Sequence, residues 1–150
     1  MNRFIMMAIT ACVLLTACKG RNDRTSGRPA PNAQLAIQLE RQGMTPYVCC
    51  WAGIVKDGYV MEERDVQRLV VYLRVKGDSA VEVRVGSKNE QWVLNNRSGD
   101  REISMSDKDV MGGLRMTAHM AEDGTHVDSL VLRTNYMGAS MEMHFTPAGK

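Results

Sequence analysis

Much that would advertise a chemistry is missing from these 150 residues. There is no Gly-x-Ser-x-Gly elbow, no His-Glu-x-x-His and no phosphate-binding glycine loop, so the common local signatures of hydrolases, metalloproteases and nucleotide enzymes are lacking. No Cys-x-x-Cys occurs, which argues against thioredoxin-like exchange and against zinc-ligand spacing. Aromatic residues make up only 5% of the chain. No internal repeat appears, and past residue 17 no apolar run is long enough to cross a bilayer, which takes roughly 20 residues.

The one long apolar stretch lies at the start. Arg3 supplies positive charge, and Phe4 to Ile9 and Ala11 to Leu15 follow as a hydrophobic segment. Charge followed by such a run is the pattern of a secretory signal. The stretch ends in Leu15-Thr16-Ala17-Cys18. This tetrapeptide resembles the lipobox of bacterial lipoproteins, a leucine and two small residues before the cysteine that becomes residue one. The resemblance covers residues 1–18. It implies cleavage after Ala17, acylation of the Cys18 thiol and an anchor in the membrane. Lys19 follows where that family commonly carries an inner-membrane Asp, which implies sorting to the periplasmic face of the outer membrane. Each buried methylene of such an anchor contributes about 0.8 kcal/mol, and stable attachment takes more than one chain.

Residues 18–32 read as a tether. Gly20, Ser26, Gly27, Pro29 and Pro31 interrupt it, and large apolar side chains are almost absent, so burial cannot offset the entropy of ordering. Lys19, Arg21, Arg24 and Arg28 face only Asp23 in this segment. That excess favours anionic head groups by about 1 kcal/mol per close residue. Of the 19 basic and 17 acidic residues, these five basic ones counting Arg3 and the single Asp23 precede residue 33, which leaves the remainder slightly acidic. Such a balance offers no face for nucleic acid.

Residues 33–150 form one domain's length of chain, enough to bury a core. Period two dominates it. Val81, Val83 and Val85 alternate with Glu82 and Arg84; Leu69, Val71, Leu73 and Val75 share a face opposite Val70, Tyr72, Arg74 and Lys76. Met116, Ala118 and Met120, then Leu130 and Leu132, then Met141, Met143 and Phe145, repeat the pattern, and Tyr47–Val55 and Gln91–Leu94 add apolar runs. Alternation of this kind marks half-buried strands. Turn chemistry separates them at Lys56-Asp57-Gly58, Lys76-Gly77-Asp78, Gly86–Asn89, Asn95–Asp100 and Glu122-Asp123-Gly124. The expected fold is mostly β: a small antiparallel sandwich or barrel of about seven to nine strands. Asn32–Gly43 predicts one short helix, capped near Asn32 and stopped at Gly43. Gly112-Gly113 reads as a bulge or bend in a long strand. Glu62, Glu63, Arg64 and Asp65 read as a charged turn.

Candidate chemistry is sparse. With Cys12 in the leader and Cys18 acylated, Cys49 and Cys50 remain, adjacent in an apolar strand. Strand neighbours point to opposite faces, which excludes an ordinary disulfide between them. Two buried thiols, a strained vicinal bridge and pairing with another chain stay open. Nine of the 12 methionines lie beyond the leader. His119-Met120 and Met143-His144 suit a soft copper site, since thioether and imidazole bind Cu(I); the in-phase methionines equally serve as core fillers. Trp51, Trp92, Tyr47, Tyr59, Tyr72 and Tyr136 are candidates for a binding face. The expectation is a non-catalytic, cofactor-free, lipid-anchored envelope domain that binds a periplasmic protein as accessory or inhibitor. Its layout is similar in size to small lipid-anchored β domains that inhibit lysozyme, a likeness carried by no residue motif. A metal or redox module of Met, His and Cys is the rival expectation.

Overall fold

The computed structural model describes residues 31–65, 69–85 and 90–149. The leader, Cys18, most of the tether, Val66 and the Gly86–Asn89 turn lie outside them.

The chain begins with helix α1 (Pro31–Arg41). It starts at Pro31, just ahead of the predicted cap, because proline's fixed φ suits the first helical turn. Leu39 is buried and Leu35 half-buried on one face, while Ile37 faces solvent. Gly43 adopts φ +78°. Its N–H donates to the Glu40 carbonyl at 2.9 Å, and the Met44 N–H donates to Leu39 at 3.1 Å. These two bonds form a Schellman stop, which satisfies carbonyls the helix end would otherwise leave open. Leu39 and Met44, joined by the longer loop, are both buried.

Ten strands follow: β1 (Thr45–Lys56), β2 (Tyr59–Arg64), β3 (Val70–Lys76), β4 (Ala80–Val85), β5 (Glu90–Leu94), β6 (Asn96–Arg97), β7 (Glu102–Asp107), β8 (Leu114–Met120), β9 (Val127–Tyr136) and β10 (Ala139–Pro147). Nine of them pair antiparallel in the order β5-β4-β3-β1-β10-β9-β8-β7-β6, and β2 adds to β1. The result is a nearly closed antiparallel barrel. Its closure is simple: β5 and β6 are the two ends of that order, yet only Asn95 separates them in the chain. One extended stretch pairs with β4 through its first half and with β7 through its second. The predicted Asn95–Asp100 turn is thus displaced. The turn proper starts at Ser98, since Asn96 and Arg97 are needed to complete the ring.

Interior side chains line up in rows across the strands. Met105, Met116, Leu132, Met143 and Ala52 stand side by side from β7 to β1. Ile103, Ala118, Leu130, Phe145 and Cys49 form the next row. On the other half, Leu73, Val83 and Trp92 face one another, as do Val75, Val81 and Leu94. Phe145, Leu130, Met116, Leu94 and Val83 are fully buried. Each such side chain contributes about 1.5–3 kcal/mol. The interior is thus a packed core.

Two glycine and charge readings are corrected. Gly112 and Gly113, with φ +84° and +66°, make the β7–β8 turn rather than a bulge inside one strand. Glu62, Glu63 and Arg64 belong to β2, because Tyr59–Arg64 can pair with the end of β1 that β3 leaves open.

Candidate binding surface

The outer wall was only partly legible from alternation. In β1 the register slips between Cys49 and Trp51. Tyr47 and Cys49 point inward before the slip, and Ala52 points inward after it. Cys50 is the extra residue, and the bulge turns Trp51 outward; strict alternation would have sent the indole into the barrel. Gly53 makes this feasible, since a Cβ there would lie 2.7 Å from the Trp51 ring. The indole N–H donates to Glu63 Oε1 at 3.3 Å, and the ring meets His144 edge-on at 5.0 Å. His144 Nε2 lies 3.3 Å from Glu142 Oε2, and Arg133 Nε donates to Glu142 Oε1 at 2.9 Å. A polar ladder therefore crosses β2, β1, β10 and β9.

Cys49 and Cys50 are free cysteines, one buried and one exposed, so of the three alternatives neither two buried thiols nor a vicinal bridge describes them. Burial raises the Cys49 pKa to about 11, and the thiol donates to the Trp51 carbonyl at 3.3 Å. The Cys50 thiol donates to the His144 backbone carbonyl at 3.3 Å, not to the ring. A cysteine nucleophile is activated by an adjacent base or positive field, and a carbonyl provides neither.

The four copper candidates are not brought together. Met120 and Met143 are buried in the barrel. His119 and His144 face outward on β8 and β10, with β9 between them. His119 Nδ1 sits 3.3 Å from Glu102 Oε1, and His126 lies between Asp123 and Asp128. Among the described residues no group of three or more His, Cys, Asp or Glu is placed to hold a metal ion.

On the outer face of β3 and β4 one carboxylate gathers several donors. Glu82 is 1% exposed and receives Arg74 at 2.6 Å, Lys76 at 3.2 Å and Arg84 at 3.2 Å. Gln91 donates to it at 3.0 Å. Burial alone would raise its pKa; the bonds and charges of Arg74 and Lys76 overcome that and hold it below the usual carboxylate value. Arg74 also donates to the Gln42 carbonyl at 2.8 Å, tying the segment after α1 to β3. Tyr72, beside it, has its pKa raised by partial burial and by Glu40.

The apolar surface collects elsewhere, along one rim. Tyr59, Val60 and Met61 follow the β1–β2 turn; Tyr136 and Met137 sit at the β9–β10 turn; Met111 is in the β7–β8 turn. These are six of the eight large apolar residues exposed among those described. Their turns are neighbours. A cleft of about 300 Å³ lies between the first two, lined by Val55, Lys56 and Asp57 on one side and Asn135, Gly138 and Ser140 on the other. The third is tied in where the Asn135 N–H donates to the Gly112 carbonyl at 3.0 Å.

Met137 stands out here. It is 91% exposed and adopts φ +46°. With Gly138 at φ +79° it forms a tight two-residue turn that calls for positive φ at both positions. Asn, Asp or Gly normally fills such a position, and a bulky side chain there is strained. The β1–β2 turn solves the same problem with Asp57-Gly58. Of the six aromatic candidates, Tyr59 and Tyr136 reach the rim, Tyr47 and Trp92 serve the core, and Trp51 and Tyr72 cover the outer wall. Tyr47 donates its hydroxyl to the Val127 carbonyl at 2.6 Å inside the barrel. Met137 carried no signal in the sequence beyond a Met-Gly pair between two strands.

Comparison of the chain with protein-family models, with curated proteins and with solved structures finds no match in any of the three.

Proposed function

We propose that this chain is a lipid-anchored protein of the bacterial envelope whose non-catalytic barrel holds a protein partner on its apolar rim, as an accessory or an inhibitor. Acyl chains on Cys18 and the cationic tether would fasten it to the periplasmic face of the outer membrane. The observation that carries the binding reading is Met137: a large apolar side chain held in solvent and in a left-handed backbone, at the centre of a row of exposed Tyr, Val and Met. Strain and exposed apolar area at one spot are costs that persist at functional surfaces. The packed interior supports a surface site over an internal ligand site.

Met137→Gly separates the roles. Relief of the positive-φ strain should raise stability by about 1 kcal/mol. Capture of an envelope partner by the full chain should fall at the same time. Unchanged capture by this variant would overturn the rim as the binding site. For the anchor, Cys18→Ala should accumulate as an unprocessed or soluble precursor. If it matures and still sediments with membranes, the lipobox reading fails.

A further inference from the structure

Strand β2 is the exception in a sheet that otherwise closes on itself. It pairs with β1 along one edge, and among the described residues no strand pairs with the other. The reason lies in the neighbours. β3 occupies the first part of that edge of β1, opposite Thr45–Val48, and β2 the last part, opposite Ala52–Lys56. On the far side of β3, β4 ends at Val85, opposite Val71, and residues 86–89 beyond it lie outside the described residues. The first side chains of β2 are exposed on its faces as well: Tyr59 is 75% exposed, Val60 53% and Met61 64%.

An unpaired strand edge is a template for another chain, and proteins commonly blunt it with lysine or other charges, proline, a bulge or cover. β2, Tyr-Val-Met-Glu-Glu-Arg, has no lysine and no proline. Its one irregularity is the register shift at Met61. Its charge has a sign: between Lys56 and Asp65 the hairpin carries Asp57, Glu62, Glu63 and Asp65 against Lys56 and Arg64. Arg64 is spent on Glu62 at 3.1 Å.

Resting on the rim reading above, we infer that the outer edge of β2 is a docking strand for an extended, cationic peptide segment of the partner protein. Backbone amides and carbonyls of the segment would continue the sheet, and its lysine or arginine side chains, sharing one face, would meet Glu63, while Glu62 on the opposite face is paired with Arg64. Alternate side chains would fall beside Tyr59 and Met61, which joins this edge to the rim. Strand addition of this kind draws affinity from main-chain bonds and specificity from alternate side chains.

The test uses the full chain in detergent micelles and three short peptides: alternating lysine and valine, alternating glutamate and valine, and the lysine peptide N-methylated on alternate amides. The lysine peptide should bind saturably, more tightly at low salt, and should slow hydrogen exchange at the amides of β2. The glutamate peptide should bind at least about tenfold more weakly. N-methylation should abolish binding. Glu62→Lys with Glu63→Lys should weaken it about tenfold or more while circular dichroism shows the fold retained. Equal binding of the methylated peptide, or no binding by about 1 mM, overturns the inference. A concentration-dependent dimer that protects the same amides would assign the edge to a second copy and also overturn it. If Met137→Gly still abolishes partner capture in that case, the rim reading stands and only the edge falls.

Discussion

Cys49 and Cys50 share a peptide bond and almost nothing else. One thiol is sealed in the barrel with its pKa pushed up to about 11, and the other is exposed on a bulge. A thiol reagent at neutral pH should therefore modify a single cysteine of the pair in the folded protein, Cys50, and both after unfolding. Rapid labelling of Cys49 in the native state, read by peptide mass, would contradict the register. Glu82 is the other residue whose environment decides its behaviour. Its folded pKa is depressed, so the stabilisation is present at neutral pH and above the unfolded value near 4.3, and is lost as pH falls through the folded pKa. Glu82→Gln should cost about 1–3 kcal/mol at neutral pH by leaving Arg74 and Lys76 with a weaker acceptor. The variant should also lose less of its remaining stability on acidification than the parent, as followed by urea melts between neutral pH and about pH 3.

Among the elements, the β5–β6 stretch decides whether the sheet is open or closed. Leu94 sits fully buried at the end of β5, immediately before Asn95 carries the chain over to β7. Leu94→Ala should cost about 2–5 kcal/mol. Val93 is its outward neighbour at 40% exposure, and Val93→Ala should stay within about 0.5 kcal/mol. Denaturant midpoints of the two variants check the assignment; similar costs would mean that the strand is read with the wrong face inward. The β1 bulge acts at the same scale. One extra residue reverses the facing of everything after it, and so builds the Trp51 wall while keeping Ala52 in the core.

For the molecule as a whole, direction matters. β1 runs from the end of α1 to the rim, and a twelve-residue strand spans up to about 40 Å. The C-terminal end of α1 and the rim therefore lie at opposite ends of β1. Deletion of residues 19–30 should leave the thermal midpoint within about 2 °C, because little apolar area is lost. A larger drop, seen by circular dichroism, would show that the segment packs on the domain. The deletion stops at residue 30 because α1 begins at Pro31.

Alternation alone determined most of the barrel. Wherever Val, Leu or Met recur at every second position, as at Val81–Val85 or Met116–Met120, the pleat sends them to one side and burial follows. Helix α1 and its Gly43 stop were legible from other local signals, a cap near Asn32, Leu35 and Leu39 one turn apart and a glycine after them, although Leu35, Ile37 and Leu39 also alternate. Three things were not. β7, with Glu102, Ser104 and Ser106 between its few apolar residues, and β6, with none, are strands because neighbours need their hydrogen bonds. The β1 bulge has no local signature, so the facing of Trp51 depends on its partners β10 and β2. The rim exists only once three turns far apart in sequence are set side by side. Period two is a property of the chain; closure, register and the meeting of loops are properties of the packed sheet.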